Sequence, residues 1–331
     1  MRQFFVFLSI FLLLLLAFDR AVSRVLNRAY AAMRGGQNGG QLNAYLAQPR
    51  PPEILIMGNS RVYHNISPDS FRRPAANLAH NGTGQVFHTG VLHVLRQAPQ
   101  KLPAALVLHI DLDEYAQPPK PEEITRLNFY YGRNPYVTAQ MNALSWSERV
   151  KNVSALYRHN GRVFSLAKAW LRPVTSDFGY KPIAPSQRDS LNTLYSGQRR
   201  LAQPRLLNRA PLRALREFVA VCKAAGVPLV CFSSPYYQRP PYLAETSALV
   251  DSLLRAEHVA YLNYGLNPVA ELQRSTRYWR DDTHLNARGV PLQSQALAQQ
   301  VAALLPGSPN KRAHATTAPG RQKNQRLIAV K

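Results

Sequence analysis

The sequence predicts an α/β protein: a three-layer α/β/α sandwich around a central parallel sheet, preceded by one transmembrane helix. Three observations carry that reading. Short apolar runs at Ile54–Met57, Leu106–Ile110, Val227–Phe232 and Val259–Leu262 have the length and composition of strands buried on both faces. Between them, apolar residues recur at helical spacing. The polar segments that follow the strands carry the reactive side chains, and open parallel sheets gather their sites at strand carboxyl ends. With 331 residues, 46% of them hydrophobic, the chain can bury one sizeable core.

The elements follow in order. Phe4 to Phe18 is almost wholly apolar, with an unbroken Leu12 to Leu16 run, bounded by Arg2 and by Asp19-Arg20. A full span needs about 20 residues, which Ala21 and Val22 help to supply, and no small-x-small cleavage pattern follows at a suitable distance. Residues 1–24 are therefore expected to be an uncleaved anchor. Residues 25–52, with Gly35-Gly36, Gly39-Gly40, Pro49, Pro51 and Pro52, read as a stalk. The domain is expected over 53–305. Val86, Phe87, Val91, Val94 and Leu95 mark its first long helix, and Leu212, Leu215, Phe218, Val219 and Cys222 a second. Leu243 to Glu257 is a third, and Val290, Leu297, Val301 and Leu304 line a closing helix. Residues 115–208 break the alternation and are rich in Pro and Tyr, with Trp146 and Trp170 farther on; they form an insertion that either caps the crevice with aromatic rings or packs as its own small core. Residues 306–331 read as a disordered basic tail.

The chain is strongly basic, with 41 Lys and Arg against 18 Asp and Glu, a formal net charge of +23. Nucleic acid is not the expected partner, because no zinc spacing, aromatic RNA-binding motif or basic recognition helix is present and the excess is spread along the chain. An anionic membrane surface or acidic polysaccharide suits it, as does a basic surface that serves solubility alone. Cys222 and Cys231 each sit in apolar context and read as buried free thiols. His80, His88, His93 and His109 show no metal-ligand pattern, so no cofactor is expected.

The chemistry is concentrated at two places. Ile54–Met57 stops at Gly58-Asn59-Ser60-Arg61, and far downstream Asp281-Asp282-Thr283-His284 precedes the closing helix. A serine hydroxyl becomes a useful nucleophile only when a neutral imidazole takes its proton, and a carboxylate must hold that imidazole in the right tautomer. Ser60, His284 and Asp281 fill those roles. Asp282 reads as a solvated neighbour or a helix-entry carboxylate. The bland alternative for Ser60 is a helix cap, and for His284 a surface histidine. Asp111 and Asp113 end a strand near the crevice and are expected to hydrogen-bond loops.

These blocks resemble the SGNH (GDSL-like) hydrolase superfamily, whose first block is Gly-Asp-Ser and last is Asp-x-x-His. The run Ile-Leu-Ile-Met-Gly-Asn-Ser-Arg, followed by Asn77-Leu78-Ala79-His80-Asn81-Gly82, looks most like its membrane-anchored envelope branch, which includes DltD-like proteins and relatives of alginate O-acetylation proteins. The resemblance covers roughly 53–114 and 209–305. It implies a flavodoxin-like fold, a Ser60 acyl-enzyme, and an oxyanion hole from the Ser60 and Gly82 backbone N–H groups, with Asn81 as an additional donor. It also implies an acylated glycan or lipid substrate and a membrane-bound acyl-transfer partner. Two departures stand out: Asn59 replaces the usual Asp, and no Gly-x-Asn-Asp block is present. The acceptor stays open, water giving an esterase and a sugar hydroxyl an O-acyltransferase. A non-catalytic envelope scaffold with this fold is the alternative. Arg20, Arg24, Arg28 and Arg34 after the apolar run argue for a cytoplasmic domain, whereas the resemblance implies an inner-membrane anchor with the domain outside, which is the orientation expected here.

Overall fold

The computed structural model describes residues 1–37, 39–159, 161–171, 179–201 and 207–305. The expected tail at 306–331 and the Trp170 side chain lie outside the described residues.

Five strands form one parallel sheet: β1 (Ile54–Met57), β2 (Ala75–Asn77), β3 (Ala105–His109), β4 (Leu229–Ser233) and β5 (Ala260–Asn263), in the order β2-β1-β3-β4-β5. Central β1 and β3 are buried at every position, which accounts for their unbroken apolar composition. Edge strand β5 is only half-buried throughout.

The period of two along each strand divides the core. Leu55, Met57, Leu106, Leu108 and Cys231 face α4 (Gln85–Arg96), α9 (Ala210–Ala224) and α10 (Leu243–Ala256), meeting Phe87, Val91, Phe218 and Val250. Ile54, Ile56, Val107, Val230 and Phe232 face the opposite way, toward α3 (Ser60–Asn65) and α11 (Val290–Leu304), meeting Val62, Leu297 and Val301. The fold is the α/β/α sandwich that the strand and helix pattern predicts. Cys222 and Cys231 are free and buried.

The segment expected to be a stalk is instead part of the folded body. An apolar helix, α1, runs from Arg2 to Ala32 and is long and apolar enough to cross a membrane. Its C-terminal half docks: Tyr30 is fully buried and stacks on Phe129 with ring centroids 4.1 Å apart, and Asn27 meets His159 at 2.9 Å. α2 (Gly40–Ala47) sends Leu42 and Tyr45 into the main core, and Tyr45 Oη donates to Lys101 O at 2.9 Å. A helix of eight residues does not persist alone in water, so this burial, about 2 kcal/mol per large apolar side chain, is what orders it.

The insertion divides between two jobs. Its first part, including the short helical turns Leu112–Ala116 and Pro121–Tyr130 and helix α5 (Pro135–Leu144), adds Tyr115, Ile124, Leu127, Val137 and Met141 to the main core. Helices α6 (Trp146–Lys151) and α7 (Val163–Leu171) follow, and α7 packs on α1. Helix α8 (Asp189–Leu201) braces the His284 loop, with Asp189 accepting from Arg280 Nη1 at 2.9 Å and Asn286 Nδ2 at 3.1 Å.

Candidate active site

Ser60 is the first residue of α3, directly beyond β1. Asn59 caps that helix: its Oδ1 accepts from the Arg61 N–H at 3.0 Å. The turn needs glycine at 58, because a Cβ there would sit 2.6 Å from His109 Cβ. The cap belongs to Asn59, which leaves the Ser60 hydroxyl for other partners.

Folding brings the two sequence-remote blocks together. Ser60 Oγ lies 2.8 Å from His284 Nε2, and His284 Nδ1 lies 2.9 Å from Asp281 Oδ2 and 3.0 Å from Oδ1. A carboxylate can only accept, so Nδ1 carries the hydrogen and Nε2 offers its lone pair to the serine O–H. Asp281 Oδ1 also accepts from the Thr283 N–H and the His284 N–H, each at 2.9 Å. Burial pushes the Asp281 carboxyl up, but His284 and these backbone donors outweigh it, so its pKa is held well below the ordinary value. Asp282 is fully buried rather than solvated: its Oδ1 accepts from Gln238 N–H at 2.9 Å and its own N–H donates to Ser196 Oγ at 2.8 Å. It fixes the loop and is turned to other partners.

A second histidine stands beside the first. His64, one turn after Ser60, has its ring centroid 5.8 Å from that of His284, and its Nδ1 donates to Lys181 O at 2.7 Å. Burial lowers its pKa.

Beneath the turn lies a buried polar network. Asn59 Nδ2 donates to Asp111 Oδ2 at 2.6 Å, and the Arg61 guanidinium reaches Asp113 Oδ2 at 2.5 Å and Asp111 Oδ1 at 3.5 Å. Tyr236 Oη and Tyr242 Oη donate to Asp113 Oδ1 at 2.8 and 2.9 Å. Arg61 also lies 4.3 Å over the Tyr236 ring. Asp111 and Asp113 therefore hold the nucleophile turn, and the Asn59 departure has a physical reason: a carboxylate at 59 would face the Asp111 carboxylate at hydrogen-bond distance.

A cavity of about 150 Å³ opens beside Ser60, lined by Asn59, Gly82, Thr83, Gly84, Asp111 and Glu114 and, from the insertion, by Gln117, Pro118, Lys120 and Glu123. Gly82 is at φ +63°, a conformation that favours glycine. Asn81 is not among the lining residues. It positions the loop instead, its N–H donating to Gln37 Oε1 at 3.1 Å and its carbonyl accepting from Arg126 Nη1 at 2.7 Å. Among the described residues the insertion contributes no aromatic ring to this lining; Tyr136 stacks on His93 at 4.2 Å and Tyr130 is in the core.

Glu114 and Glu123 escaped sequence reasoning. Both cap the N-terminus of α4: Gly84 N–H donates to Glu123 Oε2 at 2.5 Å, and Gln85 N–H donates to Glu114 Oε1 at 3.0 Å. Burial and the neighbouring Glu123 charge raise the Glu114 pKa well above the ordinary value. Gln37 and Arg126 were missed as well. No local pattern marks any of the four, because each acts across a long stretch of sequence.

No family model matches the chain, and no curated relative matches it. Among solved structures it is similar to a GDSL-like lipase from Bacteroides thetaiotaomicron, at 11% identity and a TM-score of 0.41, covering 83% of this chain and 100% of that one. It is also similar to a protein from Streptococcus pneumonia provisionally assigned as a platelet activating factor, at 12% identity and a TM-score of 0.37, covering 85% and 99%.

Proposed function

We propose that this chain is a membrane-anchored serine ester hydrolase or O-acyltransferase that works through a Ser60 acyl-enzyme. The observation that carries the proposal is the unbroken hydrogen-bonded path from Ser60 Oγ through His284 to Asp281, at 2.8 and 2.9 Å. In the acylation step His284 Nε2 takes the Ser60 proton as Oγ attacks the ester carbonyl, and the same nitrogen then protonates the departing alcohol. Asp281, kept ionised, steadies the imidazolium formed in between. The Ser60 and Gly82 backbone N–H groups are proposed to meet the oxyanion as its charge develops. An acceptor hydroxyl, from water or a sugar, then returns along the reverse path.

The cavity of about 150 Å³ beside Ser60 is the proposed seat of the acyl group. Among the described residues, Lys120 is the one basic side chain in its lining, beside Asp111, Glu114 and Glu123. The α1 helix, long and apolar enough to cross a membrane, supports a single-pass anchor. We propose that this anchor lies in the inner membrane with the domain on the extracytoplasmic side, and that the substrate is an acylated envelope polysaccharide or lipid supplied by a membrane-bound acyl-transfer partner.

A fluorophosphonate probe tests the core of this reading. Purified full-length protein is expected to be labelled at Ser60 and to hydrolyse p-nitrophenyl acetate, and Ser60→Ala to do neither. A folded wild-type protein that fails at both overturns it.

A further inference from the structure

Past the apolar run of α1, the chain makes a second apolar surface. The Phe4 to Phe18 run spans 15 residues, which at 1.5 Å per residue is about 22 Å, against a hydrocarbon thickness of about 30 Å. Its end is sealed by protein rather than left to solvent. The Asp19 carboxylate accepts from the Ser154 hydroxyl at 2.6 Å, the Ala155 N–H at 2.8 Å and the Leu156 N–H at 3.0 Å, and Arg20 Nη2 donates to Val153 O at 3.2 Å. A charged residue and two backbone N–H groups at the edge of a bilayer must find partners inside the protein, and these do.

This joint fixes the height of the neighbouring surface. Val153 sits at the level of Asp19 and Arg20, within one helical turn of Phe18. Val153, Val150 and Trp146 are spaced as i, i−3 and i−7, one face of α6 and the turn after it, and are 66%, 51% and 75% exposed. Water is a poor environment for such a stripe, and the Arg20–Val153 hydrogen bond ties it to the end of the exposed apolar surface of α1. Tryptophan with flanking cations, here Arg149 and Lys151, is the composition that settles at the membrane interface. Arg24 and Arg28 are exposed on α1 just beyond the joint, where anionic headgroups would meet them.

We infer that the Trp146, Val150 and Val153 stripe embeds in the interfacial layer of the same bilayer that α1 crosses, so that the domain is held to the membrane at two places. The inference rests on reading α1 as an anchor, and the experiment separates the two. Single cysteines at Phe11, Val150, Val153 and the exposed Arg255 of α10 are labelled with a polarity-sensitive fluorophore in full-length protein, Cys222 and Cys231 being buried. The protein is reconstituted in phosphatidylcholine and phosphatidylglycerol vesicles containing lipids spin-labelled at shallow or deep positions. Labels at 150 and 153 should be blue-shifted and quenched by the shallow lipid at least threefold more than the label at 255, and the label at 11 should be quenched by the deep lipid. If 11 is quenched while 150 and 153 behave like 255, the stripe lies in water or against another protein, and the inference fails while the anchor stands. If 11 is not quenched, both fail.

Discussion

Asn59 Nδ2 donates to Asp111 Oδ2 at 2.6 Å, so the residue before the nucleophile is held by the end of the adjacent strand. Through its other atom, Oδ1, Asn59 caps α3 at the Arg61 N–H, and thus one amide locks the turn to two elements. An amide does this where a carboxylate cannot, since Asp111 needs a donor.

Asn59→Asp sets two carboxylates against each other in a mostly buried site. We expect a loss of about 1 to 3 kcal/mol in unfolding free energy at pH 7, the cost of leaving a buried polar group unsatisfied. Adding Asp111→Asn should recover at least half of it. Urea midpoints measure both, and a double variant no more stable than the single would show that the pair is not what the amide serves.

Asp281→Asn keeps the shape of the third group but offers an N–H to His284 Nδ1, favouring the tautomer that has no lone pair facing Ser60. Esterase turnover should fall by about four orders of magnitude with little change in KM. Fluorophosphonate labelling should slow in parallel. Turnover within tenfold of wild type would remove Asp281 from the mechanism.

His80 and His88 lie under the Gly82 loop. Burial pushes His80 down to about 4, aided by the Arg126 charge, and His88 down to about 3, aided by His80. The Thr83 hydroxyl gives its one hydrogen to His80 O at 2.8 Å, so at 3.2 Å it must accept from His88 Nε2, and the buried His88 Nδ1 has no hydrogen-bond partner for an added proton. Folded pKa values below the unfolded 6.5 mean that the unfolded chain binds more protons, so stability is full above about pH 6.5 and is lost as pH falls toward the folded values. His88 alone should remove roughly 3 kcal/mol between pH 6.5 and 4. His88→Gln should flatten the dependence of urea midpoint on pH over that range. Parallel curves for the two proteins would refute the assignment.

Truncations discriminate a stalk from a docked segment. A chain beginning at Asp19 retains the Ser154 joint and the buried Tyr30, Leu42 and Tyr45, whereas one beginning at Glu53 loses all of them. The second should unfold at lower urea, with several kcal/mol lost from the two core side chains of α2 alone. Equal midpoints would mean that residues 19–52 add nothing to the core.

Local chemistry explains what could be read in advance. β1 and β3 announce themselves because strands buried on both faces leave no room for polar residues, and the three-residue step from Asp281 to His284 is short enough for one loop to set their contact. Edge strand β2 escaped notice, being only the three residues Ala75–Asn77. The paired glycines and prolines around α2 resemble a linker, and nothing nearby in sequence says that Leu42 and Tyr45 have a core waiting. Glu114 and Glu123 are similarly silent: their service to α4 depends on segments 29 and 39 residues away coming back to it.

The Asp19 joint bears on how such a catalyst would meet its substrate. A globule on a slack tether samples a hemisphere of solution and takes esters from any height. One whose anchoring helix is bolted into its own scaffold holds its nucleophile at a single elevation above the lipid, and its encounters are then governed by lateral diffusion and by which acyl carriers protrude that far.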